Sequence, residues 1–374
     1  MAHAYTPGLR VAELTVVRKE RRLPLPGEVL VKVGDRVKAT QVVARTELPG
    51  NVESVNVANR LGVPPEDVPQ CMLKKEGDSI QKGEVIAQSK SFFGLFKSSC
   101  QATVTGTVET VSSVTGQVLL REPPLPVEVR AYVDGIVTEV LPREGVMVET
   151  PATFIQGIFG IGGEIQGELV MVAESPGDIL EADRLTEAVR GKVAVGGSLV
   201  TAAAIRKAIA VGAKGILAGG LHDKDLREFL GYDLGVAITG NEDKGITLIV
   251  TEGFGKIRMA DGTFNLLKRC EGMECSMNGA TQIRAGVIRP EVVIPRRDRQ
   301  PAEEGSREGA GNMTVGSPVR VIREPYFGRL GTVSLLPSEL QRIETETLVR
   351  VLEVQFEDES RAIIPRANVE LIEK

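Results

Sequence analysis

Two stretches near the N-terminus are versions of one another. VKVGDRVKATQVVA (Val31 to Ala44) aligns without gaps on KKEGDSIQKGEVIA (Lys74 to Ala87), placing Gly34 on Gly77, Asp35 on Asp78, Val37 on Ile80 and Val43 on Ile86. A repeat constrains the fold strongly, because each copy has to bury the same apolar positions in the same way. Each copy reads as strand, Gly-Asp turn, strand. The glycine supplies a backbone position that a Cβ would obstruct, and the aspartate accepts hydrogen bonds from turn amides. A second pair follows: GTVETVSSVTGQV (Gly106 to Val118) and GIVTEVLPREGVM (Gly135 to Met147) share Gly-x-Val-x-x-Val and a later glycine. LPGNVESVNV (Leu48 to Val57) opens the same way. Residues 23–150 are therefore expected to form short half-buried strands folded into one or two compact barrels.

At 374 residues the chain exceeds one ordinary domain, so two to four separate cores are expected. With 42% hydrophobic residues, 41 glycines, 20 prolines and only 4% aromatics, those cores are built from Val, Ile, Leu and Ala. A formal net charge of -5 provides no global positive field for a polyanion. The N-terminus lacks a signal-peptide pattern and no window is apolar enough for a membrane helix, so a cytoplasmic location is the expectation. Four cysteines are too few for a disulfide framework, which fits a reducing compartment.

PGEVLVKVGDRVKATQVVA and GDSIQKGEVIA, followed by ATVTGTVETV, resemble the barrel-sandwich hybrid, or hammerhead, fold. That fold is shared by biotinyl and lipoyl carrier domains, the barrel of RnfC-type electron-transport subunits and modules of the largest bacterial RNA polymerase subunit. The resemblance implies a fold and not a function. Carrier domains present a lysine on an exposed hairpin, and the nearest lysine here is Lys90 in QSKSFFGLFKSS, without the flanking residues of either carrier motif. Beside it Phe92, Phe93, Leu95 and Phe96 form the most hydrophobic cluster in the chain, which reads either as a docking patch or as a face buried against a neighbouring domain.

From residue 151 to 295 strands alternate with helices, the pattern of a small α/β domain. GKVAVGGS, GILAGGL and GITLIVTEGFG read as strands; VTAAAIRKAIAVGA, HDKDLREFLG and MADGTFNLLKRCEG read as helices, the first two closed by glycine. The start of this region weakly resembles swivelling domains that carry phosphohistidine, without the histidine in a matching motif. CEGMEC spaces Cys270 and Cys275 within the range of some metal ligands, but a closed site needs two more, so ordinary thiols are the preferred reading. GIFGIGGE (Gly157 to Glu164) lacks the Lys-Ser/Thr of a phosphate loop and is expected to be a tight hairpin. His222 opens a helix and reads as a cap neighbour. Glu252 in TEGFG follows a strand, where α/β domains place ligands, with no partner base or nucleophile visible nearby.

RRDRQPAEEGSREGAGNM (Arg296 to Met313) has almost no apolar side chains and is expected to be a flexible linker. Beyond it, VRVIREPYFGRLGTV, LVRVLEVQFED, AIIP and NVELIE give four or five short strands, enough for a small SH3-like barrel. The first of these segments resembles the KOW motif of the elongation factor NusG and several ribosomal proteins, whose loop contacts RNA or protein. Mapped here, that resemblance implies contacts from Arg323, Tyr326, Phe327 and Arg329, two cations and two aromatics at one barrel end. Residues 313–374 hold eight cations against ten carboxylates, too interrupted for a phosphate track, so a protein partner is favoured and RNA is the alternative.

The expected fold class is multidomain and mainly β with one small α/β domain: barrel-sandwich hybrid over 1–150, α/β domain over 151–295, linker over 296–313, KOW SH3-like barrel over 314–374. With two histidines and no triad, zinc motif or nucleotide motif, the expected function is a non-enzymatic adaptor without a cofactor, docking bacterial transcription or translation machinery through a tethered, independently searching barrel. The alternatives are a carrier or electron-transfer subunit and a direct RNA binder.

Overall fold

The computed structural model describes residues 9–89, 98–231, 244–281, 288–296, 313–321, 325–326, 329–337, 340–342, 348–356 and 358–373. It is mainly β, with several sheets and more than one core. Three connected regions follow one another along the chain.

The first begins with a long strand, β1 (Leu9–Arg22), followed by β2 (Arg36–Val37) and β3 (Val42–Leu48). The chain then leaves for a second unit made of β4 (Val52–Asn56), β5 (Ser79–Ile80), β6 (Gly106–Val111) and β7 (Gln117–Arg121), and returns through β8 (Leu125–Arg130), β9 (Gly135–Leu141) and β10 (Gly145–Gln156). β8 pairs antiparallel with β3, closing the excursion at its base. The outer unit buries Val37, Val43, Val137, Val146 and Val148, and the inner one Ile80, Ile86, Val108, Val118 and Leu120.

The repeats are thus nested, and the copies pair crosswise. Val37 faces Gly135 in the outer unit as Ile80 faces Gly106 in the inner. Gly34 N donates to Val137 O at 2.8 Å and Gly77 N to Val108 O at 2.7 Å. The Asp35 carboxylate accepts from Lys32 N at 2.8 Å and that of Asp78 from Lys75 N at 2.7 Å. Both glycines hold left-handed φ angles, 91° and 90°, which an L side chain resists. Two turns made alike therefore begin two small cores of the same kind.

β10 runs unbroken through the expected boundary at 150/151. Its far half joins the next region, which contains β11 (Phe159–Ile161), β12 (Glu164–Met171), β13 (Val193–Val195), α1 (Ala202–Val211), β14 (Gly215–Leu221), α2 (Asp223–Leu230), β15 (Thr247–Phe254), α3 (Asp261–Arg269), β16 (Glu274–Asn278) and β17 (Glu291–Pro295). Strands β12, β13, β14 and β15 lie parallel in that order, with β11 antiparallel on the far side of β15. Alternation then sorts the side chains: Ala194, Ile216, Ala218, Leu248 and Val250 pack towards α1 and α2, while Val193, Val195, Leu217 and Ile249 pack towards α3 and β16. Thr201 Oγ1 accepts from Ala204 N at 3.1 Å, and Gly212 and Gly231 end α1 and α2 in the left-handed conformation. GIFGIGGE is not the expected hairpin, since β11 pairs with β15 whereas β12 pairs with β13 and β16. The glycines turn the chain between two different partners instead of folding it onto itself.

The last region is an antiparallel sheet of β18 (Pro318–Val321), β19 (Leu330–Leu335), β20 (Leu348–Phe356), β21 (Arg361–Pro365) and β22 (Val369–Glu373), ordered β22-β18-β19-β20-β21. Its core is Val319, Val321, Val333, Leu352, Val354, Phe356, Ile364, Val369 and Leu371. The expected linker falls mostly outside the described residues, but its first residue, Arg296, is buried, its amide bonded to Pro151 O at 2.7 Å.

Candidate docking surface and the junction behind it

Two of the four expected contact residues of the C-terminal sheet, Tyr326 and Arg329, come together; Arg323 and Phe327 lie outside the described residues. Their scaffold is a tight turn after β20. Phe356 N donates to Ser360 O at 2.9 Å, Glu359 N returns to Phe356 O at 3.0 Å, and Glu359 takes a φ of 62°. On this base the Arg329 guanidinium stacks 3.8 Å above the Phe356 ring and 5.9 Å from that of Tyr326. The two rings are tilted with centroids 5.4 Å apart. Arg329 Nη2 donates to Asp358 Oδ2 at 2.7 Å and to Ser360 Oγ at 3.3 Å. The Ser360 hydroxyl, assisted by its own amide and by Arg329, holds the Asp358 carboxyl below its usual range. Phe356 is buried and Tyr326 half-buried against the core, so part of the Tyr326 ring and the paired Arg329 guanidinium face outward.

Behind this platform the sheet makes two kinds of contact with the rest of the chain. β1 extends it, Leu9 facing Ile372 and Arg10 facing Glu373 in parallel register. More deeply, Arg320 of β18 reaches the carboxyl end of β15. It is 3% exposed, and its partner Glu252 1%. Arg320 Nη2 donates to Glu252 Oε2, and Nη1 to Thr251 O at 3.1 Å. Glu252 Oε1 also accepts from Ala260 N at 3.0 Å and from Thr251 Oγ1 at 3.2 Å. The partner that Glu252 lacks in its own neighbourhood of sequence is thus supplied by the last region of the chain. Polarity of the intervening segment gave no warning of this, because one cation at one strand position looks like any surface arginine.

The remaining candidates are dispersed. Lys90, Phe92, Phe93 and Phe96 lie outside the described residues. Cys270 and Cys275 are buried in the core beneath α3, with Cys275 Sγ 3.3 Å from Gly167 O. Burial, reinforced by Glu274 and Cys270, pushes the Cys275 thiol up to about 12. Among the described residues no group of three or more metal-ligating side chains forms. His222 occupies the cap position of α2 without a side-chain capping bond.

One buried tyrosine escaped sequence reasoning. Tyr132, 1% exposed, has a φ of 69°, and its ring centroid lies 5.8 Å from the Lys19 ammonium and 5.3 Å from the Arg21 guanidinium. Lys19 pairs with Glu291 at 2.6 Å, and Arg21 forms two 2.7 Å bonds to Glu164. These pairs tie β1 to β17 and β12; Arg21 and Glu164 line an open cleft of about 530 Å³, and Gln166 lines both it and a second of about 560 Å³. Desolvation raises the Tyr132 phenol well above its usual value, and Glu291 and Glu164 add to it, so the ring stays neutral. Nothing in the run AYVDG marks the tyrosine, rather than the glycine, as the left-handed residue.

No family model matches the chain, and no curated protein matches it. No described helix is long and apolar enough to cross a membrane.

Proposed function

We propose that this chain is a non-enzymatic adaptor that docks a larger assembly through its C-terminal sheet, read as a KOW-type SH3-like barrel, with the platform of Tyr326, Phe356 and Arg329 at the contact. The observation that carries this reading is the stack itself: a half-buried tyrosine and a partly exposed arginine, held over the buried Phe356 ring, are residue types of a protein hot spot. Pairing of Arg329 with Asp358 removes the net charge that a phosphate track needs, which favours protein over RNA. Leu335 and Ile363, 54% and 62% exposed, flank Glu353 across three neighbouring strands and add exposed apolar groups to the same sheet. The KOW and hammerhead resemblances make transcription or translation machinery the first candidate partner. Purified bacterial ribosomes and core RNA polymerase should be tested for binding to the full chain. One of them is expected to bind, with a loss of about tenfold or more in the Tyr326→Ala/Arg329→Ala double variant. Binding to neither, or binding undiminished by the double substitution, rejects the proposal.

A further inference from the structure

Open α/β sheets take ligands beyond the carboxyl ends of their parallel strands. Here that position, at the end of β15 ahead of α3, is filled by the chain's own Arg320. The acceptors all belong to the α/β region. Ala260 N and Thr251 Oγ1 both hold Glu252 Oε1, and Thr251 also lies 3.4 Å from Ala218 O, so the carboxylate is oriented by its own region. The Thr251 carbonyl stands beside the free carboxylate oxygen, and together they offer two acceptors to a planar fork of donors.

As a stabilising device this arrangement is poor. Taking both charges out of water costs several kcal/mol per ion, and apolar replacements of such pairs are often as stable. The fit is also incomplete, since Arg320 Nε is buried without an acceptor among the described residues. A buried pair that joins two regions and is only partly satisfied suits a contact that is made and broken.

We propose that Glu252 and the Thr251 carbonyl form a guanidinium-binding site in the α/β region, occupied in cis by Arg320, so that the C-terminal sheet is a latch whose seating closes the carboxyl end of β15. The site accepts an arginine-type group by shape and discriminates against an ammonium, which has one nitrogen with divergent N–H bonds where the guanidinium gives each acceptor its own nitrogen. The inference does not depend on which partner the Tyr326 platform takes.

Chemical rescue in the full chain tests it. In Arg320→Ala, hydrogen exchange in the loop Gly255 to Ala260 is expected to rise about tenfold or more, while Val351 to Phe356 in the core of the C-terminal sheet keeps its protection. Millimolar methylguanidinium should restore protection of the loop, and methylammonium at equal concentration should not. Glu252→Gln should open the loop without being rescued. Unchanged exchange in Arg320→Ala, equal rescue by both cations, or rescue that persists with Arg320→Ala and Glu252→Gln combined would overturn the proposal. Should Arg320→Ala unfold the C-terminal sheet, Arg320→Lys takes its place, keeping the charge and lacking the fork. Wild-type protection of the loop in that variant refutes guanidinium selectivity, and increased exchange supports it.

Discussion

Gly34→Ala and Gly77→Ala measure whether the two turns are physically the same object. Their φ angles are 91° and 90°, and a Cβ built on either glycine finds no atom within 4 Å. No steric term enters, so the cost is that of a left-handed L residue alone, about 1–2 kcal/mol at each site. Asparagine, which tolerates this region better, should recover part of it. The two sites lie in separate cores, so the double variant should be additive within about 0.5 kcal/mol. Gly135→Ala and Gly106→Ala provide the contrast. There the added carbon would stand 2.4 Å from Glu149 O and 1.8 Å from Arg121 O, so backbone has to move, at a cost of roughly 3 kcal/mol or more. Because several cores need not unfold together, native-state hydrogen exchange of Val137 and Val108 should follow each unit separately. Costs near zero at Gly34 and Gly77, or costs differing by more than about 1 kcal/mol between them, would show that the shared geometry does not set the energetics.

Other perturbations read other parts of the molecule. Lys19→Met leaves the Glu291 carboxylate largely buried without its cation and removes a charge beside the Tyr132 and Phe154 rings; with both partners partly exposed, about 1–3 kcal/mol should be lost in urea denaturation. A thiol pushed up to about 12 is almost wholly protonated at pH 8, so mass spectrometry of the native protein after brief iodoacetamide treatment should find Cys275 unmodified, and full labelling only in denaturant. The Ser175 hydroxyl and amide hold the Asp178 carboxyl below its usual range, which means that the stability it supplies is complete above the usual aspartate range and is lost as pH falls through its lower native value. Asp178→Asn should therefore flatten the acid limb of the stability profile as pH falls below the usual aspartate range.

The α/β region was the most legible from sequence, because its elements are local statements. Thr201 before an alanine-rich helix, Gly212 and Gly231 after helices, and short apolar runs between them each specify a neighbour a few residues away. The repeats were legible for the same reason at the level of one turn. Nesting was not, since alignment reports that Val37 and Ile80 are alike and says nothing of whether either pairs with Gly106 or Gly135. GIFGIGGE shows the limit within one motif: its glycines announce a turn, but the pairing partners are β15, β13 and β16 and not the two flanking strands with each other.

The segment from Arg296 to Met313 carries the sharpest lesson about inferring independence. Its composition rules out a core of its own, and the expectation of a freely searching barrel assumed that the ends on either side behave likewise. A very few side chains on either side of the polar stretch nevertheless reach other regions. Arg296 is buried against Pro151 and Thr153 on one side. On the other, Arg320 enters the α/β region at Glu252 while Leu9 and Arg10 extend β22. Charge counting treated Arg320 as one of eight interchangeable cations, whereas burial makes it the one whose partner decides how the C-terminal sheet is held. A buried charge has to find its opposite wherever the fold places it, 68 residues away in this chain, so that sequence distance and polarity are poor guides to which regions touch.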